Sequence, residues 1–169
     1  MNRLGLRPME AEDLELVLGW RNHPDVRRYM YTTHEITLDE HKRWFECSSE
    51  KPGVYLLIYE KDGEAVGFVN ITLGRCKQTA DWGFYVAPSA YKGIGRLLGK
   101  AALTFGFEML GLHKLCGQAL AFNERSISFH ENLRFHEEGR LRDQHFDDQK
   151  YHDVVCFGLL ANEWQVKED

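Results

Sequence analysis

The chain is short of the features that mark a stapled, metal-bound or membrane-embedded protein. Its four cysteines, Cys47, Cys76, Cys116 and Cys156, stand far apart with no Cys-x-x-Cys pair. That spacing argues against a zinc ribbon or a disulfide framework and points to free thiols in a reducing compartment. Only four prolines occur, and no Pro/Ser-rich or low-complexity stretch divides the 169 residues, so one domain over residues 1–169 is expected. No apolar run approaches the roughly 20 residues that span a bilayer, and the first residues lack the apolar segment of a secretory signal. A cytoplasmic protein with no membrane partner is expected. Positive charge is also scarce: 21 Lys and Arg against 26 Asp and Glu give a net charge of −5, which argues against nucleic acid as a partner. Eight histidines are scattered with no His-Glu-x-x-His run, so no metal is expected.

What is present is a globular pattern, 43% hydrophobic and 28% charged. Residues 3–7 read as a short strand ended by Pro8, and residues 11–20 as a helix with Leu14, Val17 and Leu18 on one face. A helical turn follows Pro24 over residues 25–29. A further helix carries Leu38, His41, Trp44 and Phe45, with Thr37 as its N-cap. Residues 54–59 and 65–73 form a hairpin around Lys61-Asp62-Gly63-Glu64, and residues 79–86 extend the antiparallel set. Leu97, Ala101, Phe105 and Met109 mark the expected buried stripe of a central helix that Gly111 ends. Strands at 114–120, 135–141 and 151–160 and a helix at 124–133 complete the order. It predicts an α+β fold: one mixed, mostly antiparallel sheet of about seven strands with helices on both faces.

Chemistry concentrates in two places. The stretch Tyr91-Lys-Gly-Ile-Gly-Arg96 joins an aromatic, β-branched strand to the central helix. Gly93 and Gly95 let bare backbone N–H groups at a helix N-terminus approach a phosphate. The turn lacks the third glycine of a dinucleotide fingerprint and the Lys-Ser/Thr of a P-loop. The second place is Asn123, a favoured helix cap, with His130 seven residues on and therefore about 20° from the same helical face. His145 and His152 bracket Asp147-Asp148 and read as a charged hairpin tip.

Together, the glycine turn and Asn123-Glu-Arg-Ser126-Ile-Ser-Phe-His130-Glu-Asn-Leu-Arg-Phe135 resemble the GCN5-related N-acetyltransferase superfamily over almost the whole chain. The resemblance implies acetyl-CoA as cosubstrate, with Tyr91, Lys92, Gly93, Ile94, Gly95 and Arg96 at the pyrophosphate. It further implies that the backbone of Phe84, Tyr85 and Val86 lies along the pantetheine and that Asn123 and Ser126 lie near the cofactor arm. It implies oxyanion stabilisation by the backbone N–H of Tyr85 or Val86. Two positions depart from the family pattern. Ala90 replaces a Gln or Arg, leaving the phosphates to backbone amides, and His130 replaces the tyrosine that commonly protonates the departing thiolate. His130 is accordingly the expected acid, and no cysteine nucleophile is required.

A narrower resemblance runs through Trp20-Arg-Asn-His-Pro-Asp-Val-Arg-Arg-Tyr-Met30, Glu40-His-Lys-Arg-Trp-Phe45 and residues 151–164. It is to the branch of the superfamily that acetylates the 4-amino group of UDP-linked amino-deoxy sugars in pseudaminic acid biosynthesis. It implies a UDP-amino sugar acceptor, nucleotide contacts from Arg21, His41 and Thr72, and sugar contacts from Met30, Tyr31, Trp44 and Trp82. Arg21 and Arg28 suit diphosphate oxygens by their own chemistry. Two alternatives stay open on the residues: an N-terminal acetyltransferase of the ribosomal-protein type, and a CoA-binding sensor without catalysis. A monomer or homodimer is expected.

Overall fold

The computed structural model describes residues 4–164. Its strands form one seven-stranded sheet in the order β1-β2-β3-β4-β5-β7-β6. They are β1 (Leu6–Pro8), β2 (Val54–Lys61), β3 (Glu64–Leu73), β4 (Thr79–Val86), β5 (Lys114–Leu120), β6 (His136–Phe146) and β7 (Tyr151–Leu160). Every pairing is antiparallel except β4 with β5. The expected first strand falls at Leu6–Pro8, with residue 3 outside the described range. Pro8 sits inside it without penalty because β1 is an edge strand.

Local chemistry accounts for the elements. The β2–β3 hairpin closes through two residues, with Lys61 opposite Glu64 and both Asp62 (φ 54°) and Gly63 (φ 83°) left-handed, the geometry that matches strand twist. Helix α1 (Leu14–Asn22) follows a 3-10 turn at Ala11–Asp13, so the predicted helix starts three residues late. Helix α2 is the short turn Pro24–Arg27. Helix α3 (Leu38–Ser49) opens on the predicted Thr37, whose hydroxyl accepts from the Glu40 N–H while the Glu40 carboxylate accepts from the Thr37 N–H.

One expectation fails in α4 (Ile94–Thr104). The buried residues are Ile94, Leu98, Gly99, Ala101, Ala102 and Leu103, whereas Leu97 and Met109 are exposed. The true stripe starts from Ile94, and the four-residue repeat from Leu97 drifts off it. A π-turn at Phe105–Met109, with Leu110 N–H bonded to the Phe105 carbonyl, then carries Met109 outward. The β6 strand also runs five residues further than expected. It is exposed at all but one position, so no alternation betrays it, and its charged residues suit a sheet edge.

Strand alternation divides the core in two. Leu57, Val69, Ile71, Ala80 and Trp82 face α4 and helix α5 (Glu124–Asn132) with Leu98, Leu133, Phe135 and Phe157. Leu56, Ile58 and Phe68 face the other way, against Leu14, Val17 and Trp20 of α1. Helices therefore cover both faces, as predicted. No helix among the described residues is long and apolar enough to cross a membrane.

Candidate active site

The sheet forks at its centre. β4 and β5 pair only at Thr79–Lys114, Ala80–Leu115 and Asp81–Cys116. Beyond these, β4 stays with β3 and β5 stays with β7. Hydrogen bonding in an antiparallel pair alternates, so one bond fixes the rest. The Ala87 N–H bonds the Val66 carbonyl at 2.9 Å, which commits the amides of Tyr85 and Gly83 to β3 as well. The amides of Phe84 and Val86 face the gap. Of the two expected oxyanion donors, Val86 is on the right side and Tyr85 is not. The Tyr85 side chain lies on the α1 face, against Phe68 at 5.1 Å, where burial raises its pKa.

At the mouth of the fork Gly93 holds φ at 103°, a conformation that a side chain would strain. It caps α4 without any side-chain acceptor. Ile94 N–H bonds the Tyr91 carbonyl, and the first helical carbonyl, that of Gly93, is taken by Leu97 N–H at 3.2 Å. The amides of Gly95 and Arg96 between them have no acceptor within the helix. Ile94 is buried and anchors the turn, while Tyr91, Lys92 and Arg96 are exposed around it. A helix N-terminus with open amides and flanking cations fits a pyrophosphate. The open edge of β4 likewise fits an extended amide chain such as pantetheine.

Helix α5 begins where β5 ends. The Asn123 side chain accepts from the Ser126 N–H at 3.1 Å and so caps the helix. His130 lies two turns further along about the same helical face, but it is enclosed rather than presented. Its side chain is buried, Nδ1 bonds the Ser126 carbonyl at 2.8 Å, and Nε2 accepts from the Trp82 indole N–H at 3.2 Å. Burial lowers its pKa, opposed by the Ser126 bond. Both ring nitrogens are engaged, and the neutral Nδ1–H tautomer satisfies both. The expectation that His130 protonates a thiolate conflicts with this arrangement. Trp82, expected at the sugar, faces α5, stacked on Phe135 at 5.3 Å, on the opposite face of the sheet from Arg21, His41 and Trp44.

The opposite face carries a different set. Arg21 on α1 donates through Nη2 to the Thr32 carbonyl at 3.0 Å, while its Nη1 is buried without a partner. His41 on α3 is buried, stacks on Trp44 at 5.0 Å and leaves Nε2 unpartnered. Burial lowers the pKa of both, and the Arg21 charge lowers that of His41 further. Trp44 meets Phe68 edge-on at 5.9 Å. Thr72 shares this face by alternation and is exposed.

Next to this set opens a cleft of about 420 Å³. Arg27, Arg28, Met30 and Thr33 form one wall, and Leu120, Phe122, His145, Asp147 and Gln149 the other. Tyr31 bridges towards the second wall, its hydroxyl 3.0 Å from Gln118 Oε1 and its ring 5.2 Å from His145. Asp147 accepts from His152 at 2.5 Å, which holds its pKa well below the usual carboxylate range. His145 Nε2 is buried with no partner. The sequence reading left this wall out. The two histidines around Asp147 were the available signal, but only the β6–β7 hairpin's return over the end of β5 makes them part of a cleft.

The sequence profile of the Acetyltransferase (GNAT) domain matches residues 3–136. The chain belongs to the GNAT acetyltransferase family. Among related GNAT proteins, the acetyltransferase PseH of Campylobacter jejuni is 30% identical over 134 residues, covering 75% of this chain and 79% of PseH. YdaF of Bacillus subtilis, a proposed ribosomal N-acetyltransferase, is 31% identical over 173 residues, covering 95% of this chain and 91% of YdaF. The crystal structure of the Vibrio cholerae spermidine N-acetyltransferase with CoA and spermine has a TM-score of 0.85 at 23% identity, covering 94% of this chain and 95% of that one. This likeness shows a shared GNAT fold. With the family shown, the chain is an N-acetyltransferase, and the reading as a CoA-binding sensor without catalysis gives way.

In this GNAT enzyme the expected residues divide by place. Phe84, Val86, Tyr91–Arg96, Asn123 and Ser126 gather around the fork and the two helix N-termini. Arg21, His41, Trp44 and Thr72 share the α1–α3 face, and Arg28, Met30 and Tyr31 adjoin it at the cleft.

Proposed function

We propose that this GNAT enzyme, acting as a single domain, transfers the acetyl group of acetyl-CoA to the 4-amino group of a UDP-linked amino-deoxy sugar. One observation carries the acceptor: Arg21 Nη1 and His41 Nε2 are buried polar atoms with no hydrogen-bond partner among the described residues. An unmet buried donor costs about 1–3 kcal/mol, so these positions suit anionic oxygens supplied by a ligand. Arg27 and Arg28 line the adjoining cleft, each also within ion-pair distance of a carboxylate, Glu35 at 3.6 Å and Asp25 at 3.7 Å, and the Asp147 carboxylate on the other wall is hydrogen-bonded to His152. The likeness to PseH supports the same acceptor class.

Acetyl-CoA supplies a thioester carbonyl activated for attack by an amine. The C–N bond forms as the C–S bond breaks, and the amine's proton is lost while the thiol gains one. The Val86 N–H donates to the carbonyl oxygen as charge develops there, and the Phe84 N–H, two residues away on the same strand edge, is left for the pantetheine. The Gly95 and Arg96 amides, in the turn that follows the C-terminal end of β4, hold the pyrophosphate. Arg21 and His41 hold the nucleotide diphosphate, with Thr72 on the same face. Met30, Tyr31 and Trp44 offer apolar surface to the sugar. Much of the rate comes from holding amine and thioester together.

Thiol release from acetyl-CoA, measured with a UDP-4-amino-4,6-dideoxyhexose, spermidine and a ribosomal N-terminal peptide in parallel, tests the acceptor. Turnover of the nucleotide sugar alone is expected. Turnover confined to spermidine or to the peptide would overturn this reading, and the likeness to YdaF makes the peptide an informative arm.

A further inference from the structure

The last residues to pair across the fork are Asp81 and Cys116, and the next on each strand are Trp82 and Gly117. The Trp82–His130 hydrogen bond lies over that crotch. A Cβ on Gly117 would fall 2.5 Å from His130 Nε2 and 2.7 Å from Trp82 Nε1, so no side chain fits beneath the pair. His130 is fixed at its other nitrogen by the Ser126 carbonyl and stacks on Phe157 of β7 at 4.7 Å and 7°. Phe157 itself is the register partner of Gly117. Trp82 is held between Phe135 and Phe129. Four elements, β4, β5, β7 and α5, thus meet at one hydrogen bond where the two central strands begin to part.

We infer that the Trp82–His130 pair, seated on Gly117, is the wedge that sets the opening between β4 and β5, and that His130 is a positioning residue. The inference rests on the reading of this fork as the acetyl-CoA cleft. The geometry explains why histidine serves at a position where the family commonly has a tyrosine proton donor. The single N–H of the neutral ring is spent on Ser126, and a proton on Nε2 would confront the indole N–H. The groups packed on the ring are Trp82 and Phe84 from β4, Phe129 from α5, Phe135 from the following loop, Phe157 from β7 and Gly117 from β5. None of these titrates or carries charge, so nothing in the enclosure favours an imidazolium.

The test is CoA binding by calorimetry, which needs no acceptor. Trp82→Phe removes the indole N–H and keeps an aromatic ring, and His130→Phe removes the acceptor. Each is expected to weaken CoA binding five- to twentyfold, and the double variant no more than either alone. His130→Gln, which keeps an acceptor near the Nε2 position and cannot titrate, is expected to restore affinity to within about threefold. It should also keep the parent's kcat–pH profile with the UDP-amino sugar. Parent-like CoA binding in Trp82→Phe, a variant that spares the histidine, would overturn the wedge alone. Loss of the alkaline limb of kcat in His130→Gln with CoA affinity intact would overturn it in favour of an acid. A parent protein that binds no CoA would overturn the cofactor reading and the inference with it.

Discussion

The guanidinium of Arg21 and the imidazole of His41 share one buried environment: burial lowers the pKa of each, and the arginine's charge lowers that of the histidine further. His41 is thereby kept neutral beside a cation, with Nε2 unpartnered. Removing the guanidinium should cost acceptor binding and spare the cofactor. Arg21→Ala is expected to lower kcat/KM for the UDP-amino sugar by about 10- to 100-fold, the loss of one or two charge-assisted hydrogen bonds. KM for acetyl-CoA should change less than about threefold. Steady-state kinetics with each substrate varied in turn decides it.

Stability should fall on mild acidification. His41 and His130 both have folded-state pKa values below the ordinary 6.5. Below that value the unfolded chain binds protons that the folded chain refuses, so stability is lost as the pH drops from 6.5 towards the folded values. The melting temperature by calorimetry should be flat from about pH 8 to 7 and decline from pH 6.5 to 5. The decline should be shallower in His130→Gln, which removes one of the two groups.

Gly93 has open space around it, so a side chain there meets strain and no clash. Gly93→Ala is expected to cost about 1 kcal/mol or more of stability, because alanine at a positive φ is disfavoured. Its KM for acetyl-CoA should rise more than its KM for the acceptor, since the amides of Gly95 and Arg96 follow directly. Chemical denaturation and the two KM values separate the effects.

The corrected face of α4 makes a packing prediction. Leu98 is fully buried and reaches the backbone of β3 so closely that a Cβ on Gly67 would lie 2.3 Å from it. Leu98→Ala should cost about 2–5 kcal/mol. Leu97→Ala, one position along and exposed, should cost no more than about 0.5 kcal/mol. Urea unfolding of the two variants checks the assignment.

These cases show where the sequence was readable. The Thr37 cap, the Asp62-Gly63 turn and the strand order rest on local chemistry and came through intact. The glycine turn was legible because its conformation is written in two residues, Gly93 and Gly95. Alternation says which residues share a face, not which face carries the acceptor, so it does not locate Trp82; which of the Tyr85 and Val86 amides faces the gap depends on the register with β3. His130 had the right spacing, but its engagement by Trp82, 48 positions earlier, is a tertiary fact. The four-residue repeat from Leu97 runs one residue out of phase with the buried stripe from Ile94, and His145 joins a cleft only because the β6–β7 hairpin folds back over β5.

The Ala87–Val66 hydrogen bond has a consequence for how this chain can change over time. It commits odd-numbered amides of β4 to β3 and leaves the even-numbered ones to the gap. One residue gained or lost between Thr79 and Val86, if no bulge absorbed it, would swap the two sets on one side of the change and turn those side chains over. Substitutions keep that alternation in this eight-residue segment, whereas a change of length needs a bulge to keep it. The reacting edge is in effect protected by arithmetic: its length is an even–odd code that an insertion preserves only through a bulge.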